Sequence, residues 1–447
     1  MSDKTIIKNI SIVNEGQIIV ADLLIDNGII QKMGQLNNDS NATIINGAGK
    51  YLFPGIIDGQ VHFREPGLTH KADLYTESKA AIAGGVTSFI DMPNTIPNVL
   101  TMDILNEKYR IASEKSLANF GFFLGVNGDN IDEVIKLDST KLLGVSDDGL
   151  YFTKKGNLLA DNPETMEKLF ANCKCIIAIH SEKEEIVEEN ENIYRKKYGE
   201  NVPIEFHPII RSKKACYDAT KTAIDIANKH KARLHILHLT TEAETHLFRN
   251  DIPLEQKNIT TEVSVQHLWF SDKDYKTLGS LIKWNPAIKT EEDKRGLLKA
   301  LLDDRIDIVT TDHAPHTLEE KQKPYFQSMS GAPMVQHSLN IMLEFYKQGL
   351  ISLEKIVEKM CHNPATLYRI KNRGFIREGY FADLSIVNLH SDWTVMKDNI
   401  LYKCGWSPLE GTIFKTKVTH TFVNGNLVYD NGQFNESKKG HALKNFN

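Results

Sequence analysis

Strand-like and helix-like segments alternate from Gly55 to about Met360, and this pattern limits the fold more than any other part of the sequence. The strand-like runs are short and apolar. Several are followed by stretches whose apolar residues recur three and four positions apart, the spacing of an amphipathic helix. Such alternation predicts an α/β fold with a mainly parallel sheet. Eight units favour a (β/α)8 TIM-type barrel over an open doubly wound sheet, and no GxGxxG motif opens the first unit.

The predicted elements of this middle region can be placed on the sequence. The predicted strands cover residues 56–62, 86–92, 120–126, 142–146, 176–180, 234–239, 258–263 and 306–311. The clearest helical patterns cover residues 77–83, 163–171, 216–230 and 295–303.

Both ends of the chain have the pattern of β structure. Residues 4–52 and about 379–434 contain short apolar runs separated by turn residues, and the Asn424-Gly425 pair is a hairpin signal. We expect the two ends to pair with each other as a small β-sandwich domain. The predicted boundaries are 1–53 for its N-terminal part, 54–370 for the catalytic barrel and 371–447 for its C-terminal part.

Composition excludes several classes of protein. The 447 residues carry a net charge of −5, without the basic stripe that a nucleic-acid-binding protein needs. Five scattered cysteines argue against a disulfide framework and favour a reducing compartment. The N-terminus has no apolar signal region, and no apolar run is long enough to span a membrane. We therefore expect a cytoplasmic protein that acts on a small molecule and binds neither nucleic acid nor a membrane.

Polar residues collect where the predicted strands end. They are Asp58, His62 and Arg64, Asn94, Asp147 and Asp148, His180, His235 and His238, and Asp312, His313 and His316. Each group alone has an ordinary structural explanation: Asp-Asp-Gly is a common turn, Asp312 can cap a helix, and His235 can be a packed core residue. In a barrel, however, all these strand ends converge at one mouth.

Imidazole and carboxylate groups gathered in this way are zinc ligands, and a catalytic zinc keeps one position open for water. The metal lowers the pKa of that water towards about 7, which makes hydroxide available at neutral pH. A carboxylate next to the metal can then act as general base and later as general acid. Asp312 is the candidate for that role.

The sequences around the predicted strand ends also form a recognisable set of motifs. PGIIDGQVHFREPG, DMPNT, SDDG, IAIHSEKE, HILHLTT, KWNPAIK and TDHAPH together resemble the dihydroorotase family of the amidohydrolase superfamily, over nearly the whole chain. The resemblance implies reversible hydrolysis of the ring amide of dihydroorotate to N-carbamoyl-L-aspartate, in de novo pyrimidine (UMP) synthesis. It also implies one or two Zn²⁺ ions per subunit.

The resemblance assigns metal ligands to five positions of this sequence. His62 corresponds to a ligand of the first metal, and Asp148 corresponds to the ligand that bridges the two metals. His180 and His238 correspond to ligands of the second metal. Asp312 corresponds to the ligand that is also the catalytic base. An aspartate at the bridging position, in place of a carboxylated lysine, is similar to the bacterial long-chain type.

The resemblance further implies a set of substrate contacts. Arg64, Asn94 and His316 correspond to residues that hold the substrate carboxylate, Asn285 lies beside the ring, and Ser330 and Gly331 supply a backbone contact. Arginine and protonated histidine can both pair with a carboxylate by charge-assisted hydrogen bonds. We expect Arg64→Ala to weaken mainly the binding of substrates that carry a carboxylate.

One position departs from the family pattern. The first motif of the family has the form His-x-His, whereas this chain has Gln60-Val61-His62. A glutamine amide is a weaker zinc ligand than imidazole. Gln60 can coordinate through its amide oxygen or through water in an active enzyme. Alternatively, the chain can be a catalytically silent homologue that serves as a partner subunit. The retention of His62, Asp148 and Arg64 favours the active form.

Three further questions stay open at this stage. A hydantoinase or allantoinase acting on a related cyclic ureide is the alternative enzyme.

The polar segment 316–334 can be a lid over the barrel mouth or a disordered connector. The resemblance also implies a homodimer or a larger assembly, with aspartate transcarbamoylase as a candidate partner.

Overall fold

The structure is a computed structural model that describes residues 4–150 and 158–443. Twenty β-strands are found among these residues. They are β1 (Thr5–Asn14), β2 (Gln17–Asp26), β3 (Ile29–Gly34), β4 (Thr43–Asn46), β5 (Tyr51–Pro54), β6 (Ile56–Val61), β7 (Val86–Asp91), β8 (Asn119–Phe122), β9 (Leu124–Gly125), β10 (Gly144–Ser146), β11 (Ile176–Ile179), β12 (Leu234–Ile236), β13 (Ile259–Ser264), β14 (Ile308–Thr310), β15 (Leu384–Asn388), β16 (Trp393–Thr394), β17 (Ile413–Phe414), β18 (Lys417–Val423), β19 (Asn426–Asp430) and β20 (Gln433–Phe434).

Fifteen α-helices occur in the same described ranges. They are α1 (Leu74–Ala83), α2 (Met102–Lys115), α3 (Ile131–Val134), α4 (Pro163–Asn172), α5 (Glu184–Tyr198), α6 (His207–Ile210), α7 (Lys213–His230), α8 (Glu242–Thr245), α9 (Val265–Trp269), α10 (Tyr275–Leu278), α11 (Glu291–Leu302), α12 (Leu318–Lys321), α13 (Ser338–Lys347), α14 (Leu353–Val357) and α15 (Asn363–Leu367). A π-helical turn, Glu358–His362, joins α14 to α15. None of these helices is long and apolar enough to cross a lipid bilayer.

The two ends of the chain form one sheet. Its strand order is β20-β19-β18-β15-β5-β1-β2-β3, and β4 pairs with β1. The N-terminal β5 pairs antiparallel with the C-terminal β15, so that Leu52 lies opposite Ile386. Leu23, Ile25 and Phe422 belong to the apolar core on this sheet. The expected pairing of the two ends is therefore present, whereas the boundaries 1–53, 54–370 and 371–447 stay predictions.

The middle of the chain forms the barrel. Strands β6-β7-β8 make one parallel run and β9 to β14 make the other. The backbone N–H of Phe123 donates to the carbonyl of Asp91 at 3.1 Å where the two runs meet. The barrel closes between β6 and β14 through a parallel bridge from Val61 to His313. Every residue of β6 and β7 is buried, because parallel strands are covered on both faces.

Candidate metal centre and substrate pocket

The predicted metal ligands all lie at the carboxyl ends of barrel strands. His62 directly follows β6, Asp148 lies two residues after β10, His180 directly follows β11, and His238 and Asp312 lie two residues after β12 and β14. Their side chains are buried and form two groups, His62-Asp148-Asp312 and Asp148-His180-His238, whose ligand atoms lie within 4.8 Å of one another. Asp148 belongs to both groups, which is the arrangement expected of a bridging carboxylate.

The first group points a ring nitrogen at two carboxylates. His62 Nε2 lies 3.2 Å from Asp148 Oδ2 and 3.1 Å from Asp312 Oδ1. On the other side of the ring, His62 Nδ1 lies 2.8 Å from Asn94 Oδ1. When Nδ1 donates to this amide oxygen, Nε2 presents its lone pair to the two carboxylates. Two carboxylates around one ring nitrogen suit a positive charge between them, which is either the proton of a charged His62 ring or a bound metal ion.

The second group uses the other carboxylate oxygen of Asp148. Asp148 Oδ1 lies 3.6 Å from His180 Nδ1 and 3.8 Å from His238 Nε2, and these two ring nitrogens are 3.1 Å apart. His180 Nε2 contacts Glu182 Oε2 at 2.9 Å, and Glu182 forms an ion pair with Arg211. A carboxylate behind a histidine fixes the ring and raises its basicity as a ligand.

Gln60 tests whether a metal fits this site. Its Nε2 donates to Asp148 Oδ2 at 3.0 Å, while its Oε1 is buried without a hydrogen-bond partner among residues 4–150 and 158–443. Within the same ranges, His238 Nδ1 is also buried without a partner. Unpaired buried polar atoms are costly. A metal ion suits the donor set of histidines and aspartates, and a role of Gln60 Oε1 as an additional oxygen ligand stays a prediction.

The close packing of buried histidines and aspartates shifts the pKa values of these groups. Burial opposes ionisation of Asp148, but its hydrogen bonds with His180, His238 and His62 hold its pKa well below the ordinary value. Burial disfavours the charged form of His62, yet its hydrogen bonds to Asp148 and Asp312 raise its pKa to about 9. Burial raises the pKa of Asp312, although the hydrogen bond from His62 opposes the increase. Asp148 is thus the permanently charged member of the cluster.

The backbone at the site is held in an uncommon conformation. Arg64, His238 and Asp312 have φ values of 66°, 35° and 43°, in the left-handed region that side chains other than glycine seldom adopt. Thr311, the residue before Asp312, is held in position because its Oγ1 donates to the buried Asp58 carboxylate at 2.6 Å. This bond between β6 and β14 fixes the direction in which Asp312 leaves its strand.

A small pocket opens directly on the metal ligands. It is lined by His62, Arg64, Asn94, Asp148, Trp284, Asn285, Asp312, Ala314, Ser330 and Gly331. All but two of these, Trp284 and Ala314, are predicted site residues. Trp284 also lines the pocket, and its indole Nε1 is buried without a hydrogen-bond partner among the described residues.

Arg64 is a buried cation next to this pocket. Its guanidinium donates through Nε to the Pro315 carbonyl at 3.2 Å, and its Nη2 lies 3.2 Å from His316 Nε2. Among the described residues it makes no ion pair within 4.0 Å, although it is only 6% exposed. A buried arginine without a carboxylate counter-ion is suited to binding an anion from outside the chain.

His316 lies behind Arg64, outside the residues that line the pocket. Its Nε2 lies 3.0 Å from the Ser330 carbonyl, and its Nδ1 lies 3.0 Å from Lys71 Nζ. Burial together with the charge of Arg64 lowers the pKa of His316 well below its ordinary value. This shift favours the neutral ring in the chain without substrate, and a contact between His316 and the substrate carboxylate stays a prediction.

The remaining histidines of the motifs have structural partners. His235 contacts Thr260 Oγ1 at 2.9 Å and Glu262 Oε2 at 3.0 Å within the barrel core, in agreement with its interpretation as a packed residue. His313 contacts Glu77 Oε2 at 2.8 Å and accepts from the backbone N–H of Met334. Neither belongs to the two candidate metal groups.

Several residues of the site were not predicted. Glu182 lies within the quoted motif IAIHSEKE, two residues after His180, so its spacing was an available signal. Lys71 forms a 2.9 Å ion pair with Glu320 on α12, and no local pattern in the sequence indicates this contact. The segment 316–334 is not a disordered connector, since it contains α12 and many buried residues. Its proposed role as a lid stays a prediction.

The fold and this cluster define a metal-dependent hydrolase, and comparison with known proteins gives its family. The amidohydrolase family model matches residues 51–428, and the chain belongs to that family. Within it, the chain is dihydroorotase-like. It is 32% identical over 434 residues to "Dihydroorotase" of Pyrococcus abyssi, covering 96% of each chain, and 32% identical over 417 residues to "Dihydroorotase" of Methanosarcina acetivorans, covering 91% of this chain and 88% of the relative.

Solved structures confirm the predicted architecture. L-Hydantoinase from Arthrobacter aurescens superposes with a TM-score of 0.90 at 24% identity, covering 99% of this chain and 100% of the other. Dihydropyrimidinase from Brevibacillus agri superposes with a TM-score of 0.88 at 22% identity, covering 99% and 98%. At these identities the superpositions establish the fold, a TIM-type barrel with a β-sandwich sheet built from the two ends.

Proposed function

We propose that this protein hydrolyses the ring amide of dihydroorotate to N-carbamoyl-L-aspartate, and closes the ring in reverse, as a step of pyrimidine synthesis. One observation carries the proposal: the buried Arg64, which has no acidic partner within 4.0 Å among the described residues, lines the same pocket as His62, Asp148 and Asp312. A hydrolytic centre next to a carboxylate-binding cation suits a cyclic amide that carries a carboxylate.

The proposed cofactor is zinc, one or two ions per chain. His62, Asp148 and Asp312 would hold one ion, with Gln60 as an additional weak ligand, and Asp148, His180 and His238 would hold the other. Bound zinc supplies Lewis acidity, which lowers the pKa of water and polarises the amide carbonyl.

Asp312 is proposed to move the proton. Its carboxylate lies in the pocket wall and is anchored by a 3.1 Å contact with His62. Burial raises its pKa, and a carboxylate with a raised pKa is a stronger base. Asp312 takes a proton from the attacking water and delivers it to the ring nitrogen as the carbon–nitrogen bond breaks. In ring closure the same carboxylate removes a proton from that nitrogen.

The remaining pocket residues are proposed to bind and orient the substrate. Arg64 binds the carboxylate, and Asn94 adds its amide N–H groups, since its Oδ1 is used by His62. Asn285 lies beside the ring, and the backbone of Ser330 and Gly331 forms the opposite wall. The His316 ring, whose Nε2 donates to the Ser330 carbonyl, packs 3.2 Å from Arg64 Nη2 and limits where the guanidinium can lie.

A substrate panel tests the proposal. Metal-loaded protein is assayed with dihydroorotate, dihydrouracil, hydantoin and allantoin. We expect kcat/KM for dihydroorotate to exceed that for the uncharged rings by roughly 100-fold or more, because an unpaired buried Arg64 penalises a ring without a carboxylate. Equal or faster turnover of an uncharged ring would favour the hydantoinase or allantoinase alternative. No turnover of any ring in either direction, at full metal occupancy, would favour the silent homologue.

The proposed setting of the enzyme is the cytoplasm, where its five cysteines stay reduced thiols. We also propose a homodimer or larger assembly, with aspartate transcarbamoylase as a candidate partner. Light scattering of the purified chain, alone and mixed with the transcarbamoylase, distinguishes these states by mass.

A further inference from the structure

Two buried lysines lie beneath the segment that forms one wall of the pocket. Lys321, the last residue of α12, has no exposed surface, and Lys283 is 6% exposed. Among the described residues, neither makes an ion pair within 4.0 Å. Both use backbone carbonyls as hydrogen-bond acceptors. We call Lys321, Lys283 and the carbonyls they bind the carbonyl clasp.

Lys321 satisfies all three of its N–H groups within the clasp. Its Nζ donates to the carbonyls of Lys283 at 3.1 Å, Met329 at 2.9 Å and Gly331 at 2.7 Å. An ammonium group has three donors, so the number of donors equals the number of acceptors. Burial and the neighbouring charge of Lys283 lower the pKa of Lys321, and the charge of Glu320 opposes that change.

Lys283 holds the same segment at two further points. Its Nζ donates to the carbonyls of Tyr325 and Ser328, each at 2.6 Å. Its own backbone carbonyl accepts from the backbone N–H of Gly331 at 2.8 Å. Burial lowers the pKa of Lys283 to about 7. Burying two amino groups is expensive, and an apolar side chain would fill the space without that cost. We take this free-energy cost as a sign that the two lysines are needed to hold the backbone of residues 325–331 in position.

The clasp acts on the peptide groups around Ser330. Lys321 binds the carbonyl before Ser330 and the carbonyl after it, and the Ser330 carbonyl itself lies 3.0 Å from His316 Nε2. Gly331 has a φ of 119°, and an added Cβ would lie 2.5 Å from the Ala314 carbonyl oxygen. The chain at this point therefore has little freedom to move, and its position sets that of His316.

We propose that Lys321 is a positioning residue for the substrate carboxylate. By fixing the carbonyls on either side of Ser330, it holds the Ser330 carbonyl where it accepts from His316 Nε2. The His316 ring packs 3.2 Å from Arg64 Nη2 and so limits where the Arg64 guanidinium can lie. The inference rests on the proposed function, because it gives Arg64 a carboxylate to bind. Lys321 itself does not line the pocket.

The first test separates binding from chemistry. Lys321→Met keeps the length of the side chain and removes its donors, while Lys323→Met changes an exposed lysine of the same segment as a control. We expect Lys321→Met to raise KM for dihydroorotate by about tenfold with kcat within about threefold, because a group that holds the substrate equally before and during reaction affects KM. Lys321→Gln keeps two N–H donors, and its KM for dihydroorotate should lie between those of the wild type and Lys321→Met. Metal content should equal that of the wild type in all variants.

The second test needs no turnover. Hydrogen–deuterium exchange of the wild type should show the Gly331 amide to be strongly protected, and Lys321→Met, but not Lys323→Met, should increase exchange in residues 325–331 by about tenfold or more. Rapid exchange of Gly331 in the wild type would overturn the clasp even if no variant folds. An unchanged KM in Lys321→Met would overturn its positioning role. If the wild type does not turn over dihydroorotate, the proposed function fails, and the exchange data still decide the clasp.

Discussion

Gln60 is the residue at which this chain departs from the pattern of its family. Its Nε2 donates to Asp148, which leaves Oε1, without a partner in the described part of the chain, as the atom that a metal could use. The position could be read from the sequence, because His-x-His is a short motif. The direction in which the amide points could not be read, since it depends on Asp148, which lies 88 residues later in the chain.

The first prediction concerns the number of metals. Gln60→His replaces a weak neutral oxygen ligand by imidazole, so we expect tightly bound zinc to rise by up to about one ion per chain. Elemental analysis after gel filtration in metal-free buffer measures it. Gln31→His adds a histidine at an exposed position and should leave the content unchanged. An unaltered zinc content in Gln60→His would show that Gln60 does not limit the site.

Asp312 is the proposed general base, and asparagine has nearly the same shape as aspartate but cannot act as a base. We expect Asp312→Asn to lower kcat for dihydroorotate by roughly 10²- to 10⁴-fold, the range typical of general acid–base catalysis. Asp251→Asn, at an exposed position, serves as the control. Near-normal turnover in Asp312→Asn with metal bound would rule out the assignment.

Arg64 is the residue expected to select the substrate. We predict that Arg64→Met raises KM for dihydroorotate by roughly 100-fold, since a buried charge-assisted pair contributes about 2–3 kcal/mol. Any slow hydrolysis of dihydrouracil should change little. Parallel kinetics on the two rings measure the difference, and an equal loss on both would refute the carboxylate role.

At the scale of elements, all eight predicted barrel strands are present, but most end earlier than predicted. The predicted strand 234–239 ends at Ile236, because His238 adopts a φ of 35° and turns into the mouth. The predicted strand 306–311 is reduced to Ile308–Thr310 for the same reason at Asp312. Apolar periodicity predicts where a strand exists. The strand ends where a polar residue turns away from the β-sheet hydrogen bonds towards the common centre at the barrel mouth.

Three of the four predicted helices begin earlier than predicted, whereas α4 begins at Pro163 as predicted. Helix α1 begins at Leu74 because Asp73 accepts from the Thr76 backbone N–H, and α7 follows the Ser212 cap. Helix α11 follows a capping box formed by Thr290 and Asp293. These cap residues are visible in the sequence, but the predictions relied on the apolar faces and missed the polar first turns.

A buried aspartate joins the terminal sheet to the barrel. Asp383 pairs with Arg373, accepts from Asn119 Nδ2 at 3.1 Å and accepts from the Asn424 backbone N–H at 2.7 Å. We expect Asp383→Ala to lower the free energy of unfolding by about 3–5 kcal/mol, because it leaves a buried arginine unpaired. Urea denaturation measures the change. Asp430→Ala, at an exposed strand end, should change it by less than about 1 kcal/mol, and equal effects would contradict the account.

At the scale of the whole molecule, the candidate metal ligands follow β6, β10, β11, β12 and β14, which are spread around the barrel. The sequence was sufficient to predict this convergence because strand order and polarity are local signals. It was not sufficient for the support of Glu182 by Arg211 or the carbonyl clasp. Those contacts join segments that are distant in sequence and have no repeating pattern.

A metal that links so many strands should stabilise the fold. Removing it with a chelator should lower Tm, and zinc should restore it, since a ligand at 100 times its Kd adds about 2.7 kcal/mol to the stability of the folded state. Differential scanning calorimetry of stripped and reloaded protein measures this. Identical transitions in the two forms would indicate that no metal is bound at the candidate centre.

The central claim is that this barrel uses its His/Asp cluster to open dihydroorotate. The most direct measurement follows dihydroorotate and N-carbamoyl-L-aspartate by chromatography with one preparation, first metal-stripped and then reloaded with zinc. The account predicts interconversion in both directions that is lost on stripping and restored by zinc. Absence of interconversion in protein that holds at least about one zinc per chain, or full activity after complete stripping, would contradict it.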